Sequence, residues 1–282
     1  MSILSSKRFQ KYFVPGIVFQ SCVIAGGYGT GRELVEYFMG YGPKGGLLGM
    51  CIVSLLVWSL ICAISFMFAQ IFKKYDYKSF MKELMGPGWV VFEIAYICFI
   101  VIVLAVVSAS AGSILHELFG LNKWIGIIGM SVAVFALVMN GSSLIGILPG
   151  IILFIAMCGF YPTIIEQELP VDYILTQMNM PWLRYIFQIV LFGTLIETGS
   201  GLIYSITDRI AEAFKNKGQE VPKWSTPVVA VILLVGTTAI SSFGLTGLIA
   251  KGYGTLAWVM FIVYVIPILT LGIYKISKAK KN

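Results

Sequence analysis

The sequence predicts an all-α, polytopic membrane bundle of about eight transmembrane helices, and three observations carry that prediction. Hydrophobic residues make up 58% of 282 positions and charged residues 12%, about half the charged fraction of an ordinary soluble domain. The apolar residues gather into eight runs, most of them close to the roughly 20 residues that one crossing of the hydrocarbon core requires. The basic residues collect in alternate connections between those runs, the distribution that fixes orientation in a bilayer. A single integral membrane domain over residues 1–282, multi-pass in the cell membrane, is therefore expected.

The spans are expected near 12–39, 46–72, 88–115, 123–140, 143–161, 182–207, 225–243 and 254–275. The first is interrupted. Gly26, Gly27, Gly29 and Gly31 follow an apolar stretch, and glycines at this density weaken helix propagation and free backbone amides and carbonyls from their i to i+4 partners. Such groups survive at bilayer depth only where protein or a water-filled cavity surrounds them. Beyond the glycines, Leu34, Val35, Phe38 and Met39 recur at helical spacing on one face, while Arg32, Glu33 and Glu36 fall on the other. That polar side is expected to face an aqueous pathway. Lys7, Arg8 and Lys11 ahead of a short apolar run imitate a cleaved signal peptide. A retained first span is preferred, because the glycines lead into another helix.

Orientation follows from charge. With the N-terminus inside, the inner segments hold Lys7, Arg8, Lys11, then Lys73, Lys74, Lys78, Lys82, then Arg209, Lys215, Lys217, Lys223, then Lys275, Lys278, Lys280 and Lys281. The outer segments hold Lys44, Lys123, Arg184 and Lys251, with Arg32 unassigned in the broken helix. This asymmetry places both termini in the cytoplasm. NGSS at 140–143 makes a tight cytoplasmic hairpin of the fourth and fifth spans. Residues 162–181 carry Glu166, Glu168, Asp172, Pro170 and Pro181 without a basic residue. They read as an outer amphipathic lid or a plain connector, with the connector preferred. Pro149 and Pro267 inside spans imply kinks.

Several function classes are disfavoured. The net charge of +7 belongs to membrane topology, so no nucleic-acid partner is expected. Cys22, Cys51, Cys62, Cys98 and Cys158 lie in apolar runs without CxxC spacing and read as small core residues. No HExxH, GxSxG or Walker motif is present, and His116 is the sole histidine. No enzyme activity, cofactor or metal centre is expected.

The run AGGYGTGRE at 25–33 resembles the glycine-rich first helix of the YkvI-type membrane proteins, within the amino acid, polyamine and organocation (APC) transporter superfamily and its LeuT-like fold. GLLG at 46–49 is similar to the start of that family's second span, and ETGSGLIYSITDRI at 197–210 to its eighth helix. The resemblance implies two inverted five-helix repeats with a broken first helix at the substrate site. Residues 1–161 match a first repeat and 182–282 the remainder of a second, because the sixth and seventh helices are missing. GLTGLIAKGYGT at 244–255 repeats the GYGT of 27–30 but lies between spans, and a loop is the reading favoured there.

Ionisable residues inside spans are costly, and each is a functional candidate. Glu197 lies mid-span on a polar stripe of Thr194, Glu197, Thr198, Gly201, Ser205 and Asp208. The resemblance implies a small-solute site at Gly26, Gly27, Gly29, Thr30, Gly31, Arg32, Glu33 and Glu197, and an ion site from the Gly26 and Gly29 carbonyls with the Thr194 and Thr198 hydroxyls. A buried Arg32–Glu197 ion pair that fixes packing competes with a substrate or proton site there. Glu93 and Tyr96 are placed at the membrane interface rather than in a relay. Ser108, Ser110, Gly112 and Ser113 are expected to let helices approach closely. The leading function is secondary transport of a small solute such as an amino acid, coupled to Na+ or H+. The rival is a shortened, non-transporting membrane protein with a structural or assembly role, and a homo-oligomer stays open in both.

Overall fold

A computed structural model describes residues 26–140, 150–215, 218–222 and 224–279, and every regular element among the described residues is helical. The described residues begin with α1 (Gly26–Gly29) and α2 (Arg32–Tyr37). A 3₁₀ turn (Met39–Tyr41) and Gly42 at φ 75° lead into α3 (Gly42–Leu48), which continues through a π-helical stretch (Gly49–Val57) into α4 (Trp58–Phe72). The short amphipathic α5 (Tyr77–Met85) precedes α6 (Trp89–Phe119). Next come α7 (Lys123–Asn140), α8 (Gly150–Cys158), α9 (Pro170–Gln177), α10 (Pro181–Lys215) and α11 (Ser225–Ser241). The chain ends in the helical tract α12 (Leu245–Ala279).

Four helical tracts, Arg32–Phe72, Tyr77–Phe119, Pro181–Lys215 and Leu245–Ala279, are long and apolar enough to cross a membrane, and Lys123–Ala136 and Ser225–Ser241 are shorter apolar helices. The protein is thus an all-α membrane bundle. Its middle is organised by α6, in which every residue from 103 to 114 is buried, as a helix apolar on all sides must be. Small residues make this possible. A Cβ on Gly112 would fall 2.8 Å from the Lys123 carbonyl, and one on Gly126 2.6 Å from that of Ala111, so α6 and α7 cross almost backbone to backbone. One apolar cluster joins α6, α7, α10, α11 and the start of α12, a second joins α2, α8 and α9, and a third joins α4, α5, α6 and the end of α12.

The outer surface is apolar as well: Leu55, Phe66, Ile189, Ile232 and Trp258 are exposed. Lipid is a solvent for such side chains, which corrects the placing of the cysteines in the core. Cys51, Cys62 and Cys158 are half-buried and Cys98 is exposed. Cys22, residues 12–25, the hairpin turn after Asn140 and Pro149 lie outside the described residues.

Two connections differ from expectation. Residues 162–181 form a 3₁₀ turn (Thr163–Glu166) and α9, whose Val171, Asp172, Ile174 and Leu175 are buried, so this segment packs into the bundle instead of merely connecting it. Of residues 244–255, all but the capping Gly244 are helical, not a loop: α12 begins at Leu245 and takes a π turn over Leu248–Tyr253. The expected kink at Pro267 is absorbed between π turns at Phe261–Val265 and Ile268–Gly272, where a proline without an amide hydrogen is easily accommodated.

Candidate functional site

The interruption between α1 and α2 is narrower than four glycines imply. The described glycines Gly26, Gly27 and Gly29 are helical, and the chain departs at Thr30 and Gly31, the latter left-handed at φ 82°. Three bonds then satisfy the backbone: Gly31 N–H donates to the Tyr28 carbonyl, Val35 N–H to that of Gly31, and Val171 N–H at the start of α9 to that of Thr30. The carbonyls of Tyr28, Thr30 and Gly31 therefore have partners, and one partner comes from the 162–181 segment. A Cβ on Gly31 would fall 2.3 Å from Met157 Cε and 2.9 Å from Val171 Cγ2. The break is packed on that side by α8 and α9.

Arg32 belongs to the same seal. Only 6% exposed, its guanidinium donates to Glu36 at 2.8 Å and to the carbonyls of Ile165 at 2.8 Å and Gln167 at 3.0 Å. The expected pairing with Glu197 is replaced by the i,i+4 partner on its own helix and by the 3₁₀ turn at Thr163–Glu166 and its C-cap Gln167, whose partly buried carbonyls need donors. Its Nε remains without a hydrogen bond. Glu33, the next residue, makes no hydrogen bond or ion pair among the described residues and retains some accessible surface. The hydroxyls of Tyr28, Tyr37 and Tyr253 lie within electrostatic reach of its carboxyl.

The π turn of α12 completes this corner. A π turn shifts the carbonyl pairing of a helix and turns an acceptor towards a neighbour, and the Ile249 carbonyl accepts from the Tyr37 hydroxyl at 2.7 Å. Tyr253, in the second GYGT copy, follows on the same turn. Neither Tyr37 nor Tyr253 stands out in the sequence. The signal that could have found Tyr253 is the repeated tetrapeptide, since glycine-rich stretches inside spans mark irregular helix.

On α10 the residues buried against the bundle are Gln188, Leu191, Leu195, Gly199, Ile203 and Thr207. The stripe of Thr194, Glu197, Thr198 and Ser205 flanks this ridge and is half-buried. A Cβ on Gly29 would fall 2.4 Å from Leu191 Cδ1, so an apolar side chain of α10, not a hydroxyl, abuts α1. The Thr194 hydroxyl donates to the Val190 carbonyl and that of Thr198 to the Thr194 carbonyl, leaving oxygen lone pairs.

Polar networks close the two ends. At the end holding α9, Asp172, 4% exposed, is gripped by Arg184 Nε at 2.8 Å and by a second guanidinium nitrogen at 2.6 Å, with Gln188 Nε2 at 2.7 Å. Lys123 and Ser113 hold Glu168. At the other end Glu93 and Tyr96 join a half-buried cluster. Arg209 lies 3.6 Å from the Tyr77 ring centroid and 4.2 Å from that of Tyr96, with Glu93 at 3.5 Å and hydrogen-bonded to the Tyr77 hydroxyl. The cluster lies deeper than a residue at the start of a span suggests because α5 and α10 fold over it. A cavity of about 540 Å³ opens beside it, lined by Phe92, Tyr96, Tyr264 and Lys74 among others. His116 is exposed, with Nδ1 against the Leu121 carbonyl. No family model, curated protein or solved structure matches the chain.

Proposed function

We propose that the chain is a secondary transporter of a small solute such as an amino acid, coupled to Na+ or H+, with the interrupted helix as its binding locus. One observation carries the reading: a left-handed glycine separates α1 from α2, and Glu33 follows it without a hydrogen bond or counter-ion among the described residues. An intramembrane carboxyl left in that state costs stability, which function can justify and packing alone does not. The resemblance to YkvI-type proteins of the APC superfamily contributes the rest. It supplies about eight spans in a LeuT-like arrangement with an incomplete second repeat, multi-pass in the plasma membrane with both termini cytoplasmic.

In this reading Gly26, Gly27, Gly29, Thr30, Gly31, Glu33 and Glu197 surround the solute, and Thr194 and Thr198 lie towards the ion. Arg32 moves from solute ligand to outer seal, because its contacts run to Glu36, Ile165 and Gln167. With α9 bonded to Thr30, the arrangement corresponds to a state closed to the outside.

A second reading has its own support. The same Val171 bond and the Met157 contact fill the break with the protein's own chain, as in a shortened relative with a structural or assembly role. Uptake of a panel of radiolabelled amino acids into proteoliposomes separates the two. Transport predicts accumulation that Gly31→Ala and Glu197→Gln abolish. No uptake by the wild type, with unaltered thermal stability in both variants, favours the structural role.

A further inference from the structure

The carboxylates of the membrane-length tracts meet different fates. Glu36 is paired with Arg32 at 2.8 Å and Glu93 with Arg209 at 3.5 Å. Glu33 is adjacent to Arg32 yet unpaired among the described residues, because that guanidinium is turned to the outer segment and engaged there. Glu33 lies deep in the bundle and still keeps accessible surface, so a crevice in the packing reaches it.

What faces it decides its charge. Three phenols stand within electrostatic reach: Tyr28 from α1, Tyr37 from α2 and Tyr253 from the π turn of α12. The Tyr37 hydrogen is already given to the Ile249 carbonyl, which leaves its oxygen able to accept from a carboxylic acid and repelled by a carboxylate. Among the described residues, the remaining charged groups on the neighbouring elements bring no counter-ion. Glu36 holds Arg32 on α2, Glu166 on the outer turn and Lys251 on the π turn are exposed, Arg184 grips Asp172 on α9, and α10 contributes the acidic Glu197. A sodium ion wants a cage of oxygens, whereas the carbonyls of Tyr28, Gly31 and Thr30 already accept from Gly31, Val35 and Val171. A proton needs one oxygen.

We propose that Glu33 is the proton-carrying group of the protein, neutral while α2 packs against the π turn of α12 and ionised when water fills the crevice. The inference rests on the transport reading and selects H+ over Na+ within it. One proton passes from water to a Glu33 carboxylate oxygen and later returns to water on the opposite side; no other bond forms or breaks. The π turn and α2 are joined by the Tyr37–Ile249 bond, so water entering between them to solvate an ionised Glu33 separates the two pieces that line the crevice.

The test has two arms on the full-length protein. In infrared pH titration, the C=O stretch of a protonated carboxyl at neutral pH is expected in the wild type and in Glu197→Gln, and absent in Glu33→Gln. A band unchanged in Glu33→Gln overturns the inference. In proteoliposomes given the amino-acid panel, an imposed pH gradient is expected to drive accumulation in the wild type. At least a tenfold loss of that accumulation is expected in Glu33→Gln, with Glu33→Asp intermediate. Accumulation that follows a Na+ gradient alone, or survives undiminished in Glu33→Gln, overturns it too. A Glu33 band without uptake under either gradient removes the transport reading and leaves the protonation site standing; absence of both removes both. Glutamine is isosteric with the protonated acid, and Glu33→Asp guards against a folding defect in that variant.

Discussion

At Gly31 the backbone adopts φ 82°, a region that costs a residue with a Cβ about 1–2 kcal/mol, and the space a side chain needs is already held by Met157 and Val171. Arg32 then secures what Gly31 redirects, through one side chain with three acceptors on two elements. Arg32→Ala is expected to destabilise the fold by on the order of 3–5 kcal/mol, the usual cost of leaving a buried ion-pair partner alone. Arg32→Lys should recover a minor part, since an ammonium lacks the planar fork that reaches several acceptors at once. Thermal unfolding in detergent and limited proteolysis at 162–170 measure both, with faster cleavage expected in the alanine variant. Wild-type resistance in Arg32→Ala would mean that packing alone holds the outer segment. Part of this was legible beforehand: Arg32 and Glu36 stand at i,i+4 spacing, which is a sufficient reason for a pair on one helix. The contacts to Ile165 and Gln167 were not, because they run to backbone carbonyls more than a hundred positions away, and no residue type at those positions announces them.

Among the elements, those with strong periodicity matched their expected bounds and those with mixed signals did not. The apolar runs at 88–115, 123–140, 182–207 and 225–243 correspond to α6, α7, α10 and α11. The acidic, proline-bearing 162–181 segment and the glycine-rich 244–255 segment misled for opposite reasons. In the first, a polar composition concealed an element buried by Arg184 and by the break itself. In the second, glycines that disfavour regular helix were accommodated by a π turn. The short α5 makes an independent test of local signals. Its N-cap is Asp76, which accepts from the Ser79 amide. Partial burial pushes the Asp76 carboxyl up, but the bonds from Ser79 outweigh it and hold the group below the usual carboxylate range. A carboxyl lowered on folding adds stability above its unfolded value, near 4, and loses it as pH falls through the folded value. Asp76→Ala should therefore cost about 1 kcal/mol at neutral pH and nothing once the acid is protonated. Asp76→Asn should keep the cap and flatten that pH dependence. Urea titrations of the purified protein at several pH values would measure this, and a penalty for Asp76→Ala that does not vary with pH would remove the capping explanation.

Over the whole molecule, the basic segments sort by end. Arg209 meets Tyr77, Tyr96 and Glu93, and Lys275 donates to the Glu83 carbonyl, so the segments around 73–82, 209 and 275 that charge assigned to the inside share one end of the bundle. Arg184, Lys123 and the 162–181 segment share another, tied through Asp172 and Glu168. Composition alone could count the charges, but it could not show that each set is drawn together by acids of the neighbouring elements. The positive-inside bias acts on such clusters near span ends, so the end carrying Lys73, Lys74 and Lys78 should face the cytoplasm. A cysteine-free background, made by replacing the five native cysteines, allows a direct measurement, because Tyr75 and Met178 are both exposed and belong to opposite ends. A membrane-impermeant maleimide on intact cells should label Met178→Cys and leave Tyr75→Cys unlabelled until the membrane is permeabilised. The reverse pattern would invert the bundle, place the α9 seal on the cytoplasmic side, and turn the closed-to-outside state into one closed to the inside.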